Sequence, residues 1–483
     1  MSFFTLSILL SICVGFIYPE QLSHNDLHHH ANHLHLDGST ISILWIIPFL
    51  GILLSIAIFP LISSSYWHHN YGKISAFWGI LFLFAFTFNF GIDISVFYLL
   101  EVYLREFLPF IVILLALFTV SGGVLISGTM KGTPLVNTII LLIGTVLASW
   151  MGTTGASMLL IRPLIKSNQD RVNKVHIFVF FIFLVSNIGG ALTPLGDPPL
   201  FLGFLKGVDF FWTTTKLFLP MIMISIPLLI LFYIIDRYFY QKEDVNFNSD
   251  KIKIKVTGKI NLVLILFIVI SVVASGIWRA DSSNPEHWLI AYGGECIMTY
   301  GTFLQVSLLL LITFISLKVT PKSIRSENAF TWEPIKEVFK LFATIFITMV
   351  PAIAMLKSGK NGPLENVVAL LSDNDGNAIN MMYFWVTGIL SAFLDNAPTY
   401  LVFFNTAGGD PSYLMNDGMM TLVAISAGAV FMGAMSYIGN APNFMVKSIA
   451  EENKINMPSF FGYMIWSICI LVPVLLIFSF IYF

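Results

Sequence analysis

Charged side chains are scarce in this sequence. They make up 11% of the 483 residues, whereas 57% of the residues are hydrophobic. Because a soluble domain is about one quarter charged, this composition excludes an ordinary globular enzyme. The net charge of -2 is spread over many segments and leaves no basic patch for nucleic acid. Several apolar runs reach the roughly 20 residues that cross a bilayer, so the chain is predicted to be an all-α polytopic membrane protein.

Cysteine and the motifs of membrane enzymes are also lacking. Cys13, Cys296 and Cys469 are scattered without paired spacing, so neither a disulfide framework nor a zinc site is indicated. No His-Glu-x-x-His motif occurs, and the sequence before Asp197 lacks the first glycine of Gly-x-Gly-Asp. No segment repeats as a selectivity filter would. The sequence therefore disfavours a membrane protease and a channel, and we expect neither enzyme activity nor a cofactor.

The apolar runs predict about ten spanning helices, two of them broken, and two hairpins. Uninterrupted crossings are predicted at residues 41–62, 74–92, 107–126, 218–235, 260–278, 302–319, 339–356 and 460–482. The broken crossings are residues 175–206, which contain TPLGDPP, and 419–449, which contain SYIGNAP. Four short runs pair into re-entrant hairpins that enter and leave on one side: 134–150 with 155–166, and 379–394 with 397–407.

The distribution of lysine and arginine supports this topology. The loops assigned to the inner side contain 18 of these residues, and the loops assigned to the outer side, including 93–106, contain 6. The positive-inside rule expects this asymmetry for a multi-pass protein of the plasma (inner) membrane. Asp93, Glu101 and Arg162 are expected at the membrane interface, although Arg162 could instead neutralise a neighbouring carboxylate.

Two regions repeat each other at a constant separation of 243 residues. Residues 190–202 align with 433–445 at five identical positions, and residues 151–160 align with 394–403 in polar and helix-breaking character. A duplicated pair of interrupted segments is the best indication in a sequence of the binding site of a transporter.

The second half starts from the opposite side of the membrane, so the prediction is an inverted repeat of residues 41–235 and 260–483. Residues 236–259 are predicted to form a cytoplasmic linker. Lysines alternate with apolar residues there, which could indicate a short strand, but a solvated linker is preferred.

The first 40 residues form a separate region. Residues 3–17 are a short apolar run. They could be a signal peptide, but they lack its basic flank and a clear cleavage site, so an extra membrane anchor is equally compatible. The histidines that follow could bind a transition metal or sense pH, but a solvated outer tail is preferred because no regular ligand spacing closes a site. These histidines are His24, His28, His29, His30, His33 and His35.

Helix breaks at membrane depth indicate a cavity, because irregular backbone is tolerated only where it lines one or is buried in protein. One break alone would indicate a packing kink, whereas four breaks in matched pairs favour helix ends that face a bound ion. Hard cations prefer oxygen ligands, which nearby hydroxyl and amide side chains supply. The predicted neutral ligands are Thr153, Thr154, Asn187, Thr193, Asn396, Ser436 and Asn440.

Two carboxylates, Asp395 and Asp197, are the principal candidates for a sodium site. A charged side chain at the centre of a membrane helix costs roughly 2.5–3.5 kcal/mol on insertion scales, so it is a functional candidate by default. Asp395 is predicted at the tip of the second hairpin. Asp197 is predicted in the first break, where it could equally be the N-cap of a helix beginning at Pro198. A carboxylate kept from water takes up a proton more readily, so sodium and protons would compete for Asp395.

Two segments, SNIGGALTPLGDPPLFLGFLKGVDFFW (186–212) and FLDNAPTYLVFF (393–404), resemble the ion transporter superfamily. The resemblance is nearest to sodium/proton antiporters of the NhaD type and their citrate-transporter-like relatives, which include the arsenite pump family. It implies that two hairpins and two broken helices meet at a central site, and that the protein is a homodimer. Dicarboxylate members carry paired Ser-Asn-Thr tips where this chain has GTT and LDNAP. Asp395 would repel a carboxylate substrate, but a metal-citrate complex remains compatible.

The sequence therefore predicts secondary exchange of sodium, or lithium, for protons by alternating access. Asp395 is the predicted shared site for sodium and protons, and Asp197 supports it. The alternative is a transporter of the same superfamily that carries citrate or another carboxylate as a metal complex. The expected partners are sodium, protons and the lipid bilayer.

Overall fold

The structure is a computed structural model that describes residues 34–243, 253–277, 285–328, 330–373 and 375–483. Within these ranges nine helices are long and apolar enough to cross a membrane, or ten if one bent pair is counted as a single span. The only sheets in the described ranges are two antiparallel pairs of short strands. The predicted all-α polytopic membrane class is confirmed.

The first half of the chain contains three long helical segments, a hairpin, a broken helix and a final long helix. The three segments are α1 (Ile47–Ile62), α2 (Ser64–Phe90), and α3 (Ile92–Leu100) continued through a π-helical stretch (Glu101–Phe107) into α4 (Leu108–Ser121). The hairpin is α5 (Pro134–Met151) and α6 (Thr153–Ser167). The broken helix is α7 (Val175–Leu184), a 3-10 turn (Ile188–Leu192) and α8 (Pro198–Lys206), and the final helix is α9 (Phe210–Gln241).

The second half repeats this order. The long segments are α10 (Ile260–Ile277), α11 (Tyr300–Val319), and α13 (Glu333–Thr348) with α14 (Val350–Lys357), and the short α12 (Lys322–Glu327) precedes α13. The short α15 (Glu365–Leu370) leads to the hairpin of α16 (Asn380–Leu394) and α17 (Asn396–Thr406), and α18 (Pro411–Met415) follows. The broken helix is α19 (Met419–Met432), a 3-10 turn (Gly433–Met435) and α20 (Ala441–Glu452), and the last segment runs from α21 (Phe460–Trp466) through a π-helical stretch (Ser467–Leu471) into α22 (Val472–Tyr482).

The broken helices lie in the interior and exchange partners between the repeats. In the window Val175–Leu192, 89% of the residues are buried, against 33% for α10 or α11. Each broken helix packs its first half on the hairpin of its own repeat. Its second half packs on the hairpin of the other repeat, so that α8 contacts α17 and α20 contacts α6. This exchange brings both breaks and both hairpin tips to the middle of the protein.

Glycine allows the backbone within each break to approach itself closely. A β-carbon at Gly196 would lie 2.1 Å from the carbonyl oxygen of Gly190. The second repeat has the same close approach, since a β-carbon at Gly439 would lie 2.6 Å from the carbonyl oxygen of Gly433. Both distances are far below van der Waals contact, so only glycine fits, which explains why these two positions are identical in the repeats.

Several predicted boundaries were wrong. Residues 93–106, expected to be an outer loop, are helical and join α3 to α4. The second crossing begins at Ser64, not at 74. At 18 residues α5 is long enough to span, although it turns back into α6 at Gly152. Part of the expected linker is a strand.

That strand, β2 (Lys253–Thr257), pairs antiparallel with β1 (Leu125–Thr129), so that Leu125 lies opposite Thr257. Another strand pair, β3 (Trp288–Tyr292) and β4 (Glu295–Thr299), lies in the loop before α11.

The apolar run 3–17 and every histidine of the N-terminal cluster except His35 lie outside the described residues. His35 lies 3.4 Å from Glu295 and edge-on to the ring of Phe97.

Candidate functional site

A cavity of about 100 Å³ lies where the two hairpin tips meet the two helix breaks. The first tip contributes Gly152 to Gly155, and the first break contributes Pro194 to Pro198. The second repeat contributes Asp395 and Asn396 from its tip, with Asn440 and Ala441 from its break. Apolar residues of α4 and α13 form the remaining wall, among them Phe110, Leu117, Ile335 and Phe342.

The two hairpins turn with the same unusual backbone. Gly152 has φ 80° and ψ 147°, and Asp395, which is 243 residues later, has φ 79° and ψ 138°. Glycine takes this conformation freely, whereas a residue with a β-carbon pays about 1–3 kcal/mol. Such strain persists where the surrounding structure imposes it, and it is concentrated at functional sites.

Asp197 is buried and accepts hydrogen bonds from three side chains. The hydroxyl of Thr153 donates to Oδ1 at 3.0 Å, Asn440 Nδ2 donates to Oδ1 at 3.0 Å, and Asn396 Nδ2 donates to Oδ2 at 2.5 Å. These donors come from both repeats, so Asp197 joins the first break to the second hairpin and the second break. Asp197 occupies the N-cap position of α8, but its side chain makes no capping bond there.

Asp395 has a more open environment. Its side chain is partly exposed to the cavity, and the hydrogen bonds it accepts from described residues come from backbone N–H groups, those of Ala397 at 3.1 Å and Asn396. Asp395 therefore makes a side-chain capping bond, at the start of α17, whereas Asp197 makes none at the start of α8.

Asn396 places an unpartnered oxygen beside Asp395. Its side chain is 1% exposed, and Oδ1 has no hydrogen-bond partner among the described residues. The contact with Asp197 is made by Nδ2, the orientation that an ionised carboxylate requires because it only accepts hydrogen bonds, and Oδ1 is turned away. A buried acceptor without a donor is costly in a folded protein, and a bound cation would satisfy it.

Three predicted ligands have structural roles instead. The hydroxyl of Thr193 donates to the carbonyl of Ser149, and the hydroxyl of Ser436 donates to the carbonyl of Ala392, in equivalent positions of the two repeats. Asn187 donates to Asn443 at 2.7 Å and joins the two breaks. None of these three residues lines the cavity, whereas the other predicted ligands do.

The remaining predicted charges lie away from the cavity. Asp93 is exposed at the start of α3, and Glu101 pairs with Arg105 at 3.5 Å. Arg162 is half-buried in α6, and it is not among the residues that line the cavity. It therefore does not neutralise either aspartate from within the site.

The cavity wall on α4 and α13 was missed at the level of the sequence. Phe110 and Phe342 stack there with ring centroids 5.0 Å apart. Nothing distinguishes these phenylalanines from the many others that face lipid, so no sequence feature could have identified them.

Comparison with known proteins gives one positive result. Residues 38–483 match the profile of a family described as "Putative citrate transport". No curated protein matches the chain. Because the match covers the broken helices, both hairpins and nearly the whole sequence, the chain belongs to this family of citrate-transporter-like membrane proteins.

Proposed function

We propose that the protein exchanges sodium, or lithium, for protons and that Asp395 binds either ion. The coarser conclusion, a membrane transporter of the citrate-transporter-like family, follows from the family match. The positive-inside asymmetry of the loops supports a plasma (inner) membrane location, and the superfamily resemblance supports a homodimer.

One observation carries the choice of a cation. Asp197 and Asp395 line the same small cavity, and among the described residues no lysine, arginine or histidine lines it with them. Two carboxylates in a site of low dielectric constant repel each other, and the repulsion is relieved by a proton or by a cation. The unpartnered Oδ1 of Asn396 supplies a neutral oxygen ligand at the same place.

The chemistry of exchange follows from this competition. With sodium bound, Asp395 is ionised; when a proton arrives, the carboxyl group becomes neutral and the sodium ion loses its counter-charge. Movement of the hairpins and broken helices against the wall of α4 and α13 would then expose the site to the other side. The wall includes the apolar side chains of Phe110, Ile335 and Phe342. Because these side chains form no hydrogen bonds, the site could move past them without breaking any.

The family description favours citrate as a second candidate substrate. A free citrate anion would meet two carboxylates and, in the part of the chain that the structure describes, no basic side chain on the cavity wall, and like charges this close are strongly unfavourable. A complex of citrate with a divalent cation would reduce the repulsion, because the metal could face Asp395. This candidate predicts citrate flux that requires a divalent metal.

The test is transport by purified protein reconstituted into liposomes that contain a pH-sensitive dye. Sodium, lithium and potassium chlorides, and citrate with and without magnesium, are added outside. We expect sodium or lithium to drive proton movement, and we expect potassium and citrate to be ineffective. Asp395→Asn removes the exchangeable charge and should abolish exchange.

The matched control is Asp93→Asn, which makes the same chemical change at an exposed position outside the cavity. It should exchange sodium at the wild-type rate. Wild-type activity in Asp395→Asn would disprove the assigned role, and magnesium-dependent citrate flux without sodium exchange would establish the second candidate instead.

A further inference from the structure

The two hairpin tips share a backbone but differ in chemistry. The separation of 243 residues that relates Gly152 to Asp395 also relates Thr153 to Asn396 and Asp197 to Asn440. Exact symmetry would give two equivalent ion sites, one at each tip. The side chains break this symmetry at three of the positions that line the cavity.

At the corner formed by the first tip, the Thr153 hydroxyl and the Asp197 carboxylate are already hydrogen-bonded. Gly152 provides no side chain, and the hydroxyl of Thr153 is directed to Asp197. Asp197 accepts two further N–H groups, from Asn396 and Asn440. A cation entering this corner would meet donor hydrogens around the carboxylate and would have to displace them.

The corner formed by the second tip has the opposite character. The carboxylate of Asp395 accepts hydrogen bonds from the backbone N–H groups of Ala397 and Asn396 but from no described side chain, and Oδ1 of Asn396 is buried without a donor among the described residues. Two oxygen ligands, one of them charged, are therefore available without breaking a hydrogen bond. Asp197 contributes by holding the amide of Asn396 in the orientation that presents Oδ1.

We infer that each chain binds one sodium ion, at the second tip between Asp395 and Asn396, and that Asp197 is a positioning residue for Asn396. This inference rests on the proposed function and adds its stoichiometry. One sodium ion then exchanges for one proton at one carboxylate, so each cycle moves one positive charge in each direction and is electroneutral.

The first experiment counts ions on the intact wild-type protein. Radioactive sodium is bound to purified protein and displaced by unlabelled sodium. We expect one ion per chain and a Hill coefficient of 1. Two ions per chain would overturn the inference and leave sodium exchange standing; no sodium binding would overturn both.

A second measurement uses the liposomes described above with a membrane potential imposed by potassium and valinomycin. The rate of sodium/proton exchange should be the same at zero, positive and negative potential. A rate that depends on potential means that a second proton moves, as it would if Asp197 also exchanged one, and this overturns the positioning role.

Two matched variants test the ligand. Thr153→Ala and Asn396→Ala each remove one hydrogen-bond donor from Asp197, but only Asn396→Ala also removes the unpartnered oxygen. We expect Asn396→Ala to raise the sodium concentration for half-maximal exchange by roughly tenfold or more, and Thr153→Ala by less than about threefold. Equal effects would show that Asn396 acts only through Asp197 and would overturn the ligand assignment. The ion count on the wild-type protein decides the stoichiometry even if a variant fails to fold.

Discussion

Two regions of the protein bury a pair of carboxylates, and only one of them includes a cation. At the central cavity, none of the described residues that form the wall with Asp197 and Asp395 is basic. At the end of α9, Asp236 and Glu243 surround the guanidinium of Arg171, with Nη2 2.8 Å from Asp236 and Nε 2.8 Å from Glu243.

The carboxylates around Arg171 have hydrogen-bond donors in addition to this resident cation. His176 lies 2.9 Å from Oδ1 of Asp236, Asn137 donates to Oδ2 at 2.9 Å, and the side chains of Arg171 and Asp236 are fully buried. Such a network joins the base of the first hairpin to α7 and α9 and holds them in place. The comparison teaches that buried carboxylates with a resident cation stabilise structure, whereas buried carboxylates without one are suited to a cation that arrives and leaves.

The largest effect on stability is expected where the resident cation is removed. Arg171→Leu leaves two buried carboxylates unpaired, and breaking a buried ion pair in this way costs about 3–5 kcal/mol. We expect a large drop in the thermal melting temperature of the purified protein. Lys336→Leu is the control, because Lys336 forms an exposed pair with Glu333 at 2.7 Å, and exposed pairs contribute at most about 1 kcal/mol. Equal melting temperatures for the two variants would contradict the structural role of Arg171.

Bound sodium should stabilise the folded protein by pairing with the carboxylates of the cavity, as Arg171 does with Asp236 and Glu243. A ligand that binds only the folded state at about 100 times its Kd raises the free energy of unfolding by about 2.7 kcal/mol. Thermal melting in sodium chloride against choline chloride of equal ionic strength measures the effect. We expect stabilisation of wild type and none for Asp395→Asn. Identical melting temperatures of wild type in both salts over a wide concentration range would show that sodium does not stabilise the cavity.

Relief of the strained backbone at Asp395 should change stability by a smaller amount, and it should increase stability. Asp395→Gly relieves the positive φ and should increase stability by about 1–3 kcal/mol while exchange is lost. Asp395→Ala removes the same carboxylate but keeps a β-carbon, so it should be less stable than Asp395→Gly by a similar amount. Melting temperatures of the two variants compare the conformational cost directly. If they are equal, the site stores no strain.

The converse substitution tests the first tip. At Gly152 a β-carbon would have its nearest contact at 3.4 Å, to the carbonyl of Leu195, so there is room for it. Gly152→Ala should therefore lose about 1–3 kcal/mol through backbone conformation alone.

The sequence predicted the central layout because backbone breaks have a strong compositional pattern. Gly196 and Gly439, with the prolines after them, occur in matched positions in apolar segments, and both breaks lie where the repeat predicts. The boundaries of residues 93–106 were wrong because Arg105 and two glutamates resembled a loop, whereas Glu101 pairs with Arg105 on the helix surface.

The hydrogen-bond partners of the individual side chains within the site could not be predicted. Sequence shows that Asn396 and Asn440 are amides, but it does not show that both donate to Asp197, which depends on the packing of one repeat against the other. The network around Arg171 had one overlooked indication: Asp236 directly follows an apolar run, and a carboxylate in that position needs a partner.

The smallest expected effect concerns Glu243, at the outer end of the same network. Burial raises the pKa of Glu243, but hydrogen bonds from the backbone N–H of Asn173 and from Arg171 outweigh it, and the net pKa lies below the ordinary value of 4.5. Because the folded pKa is the lower one, this contribution is present above pH 4.5 and is lost as the pH falls through the folded pKa.

Acidification from neutral pH should therefore lower the melting temperature of wild type more than that of Glu243→Gln. Glu365→Gln, an exposed control, should melt like wild type at every pH. A wild-type pH dependence that Glu243→Gln leaves unchanged would mean that Arg171 is held by Asp236 alone, and the charge balance of the network would then rest on one carboxylate.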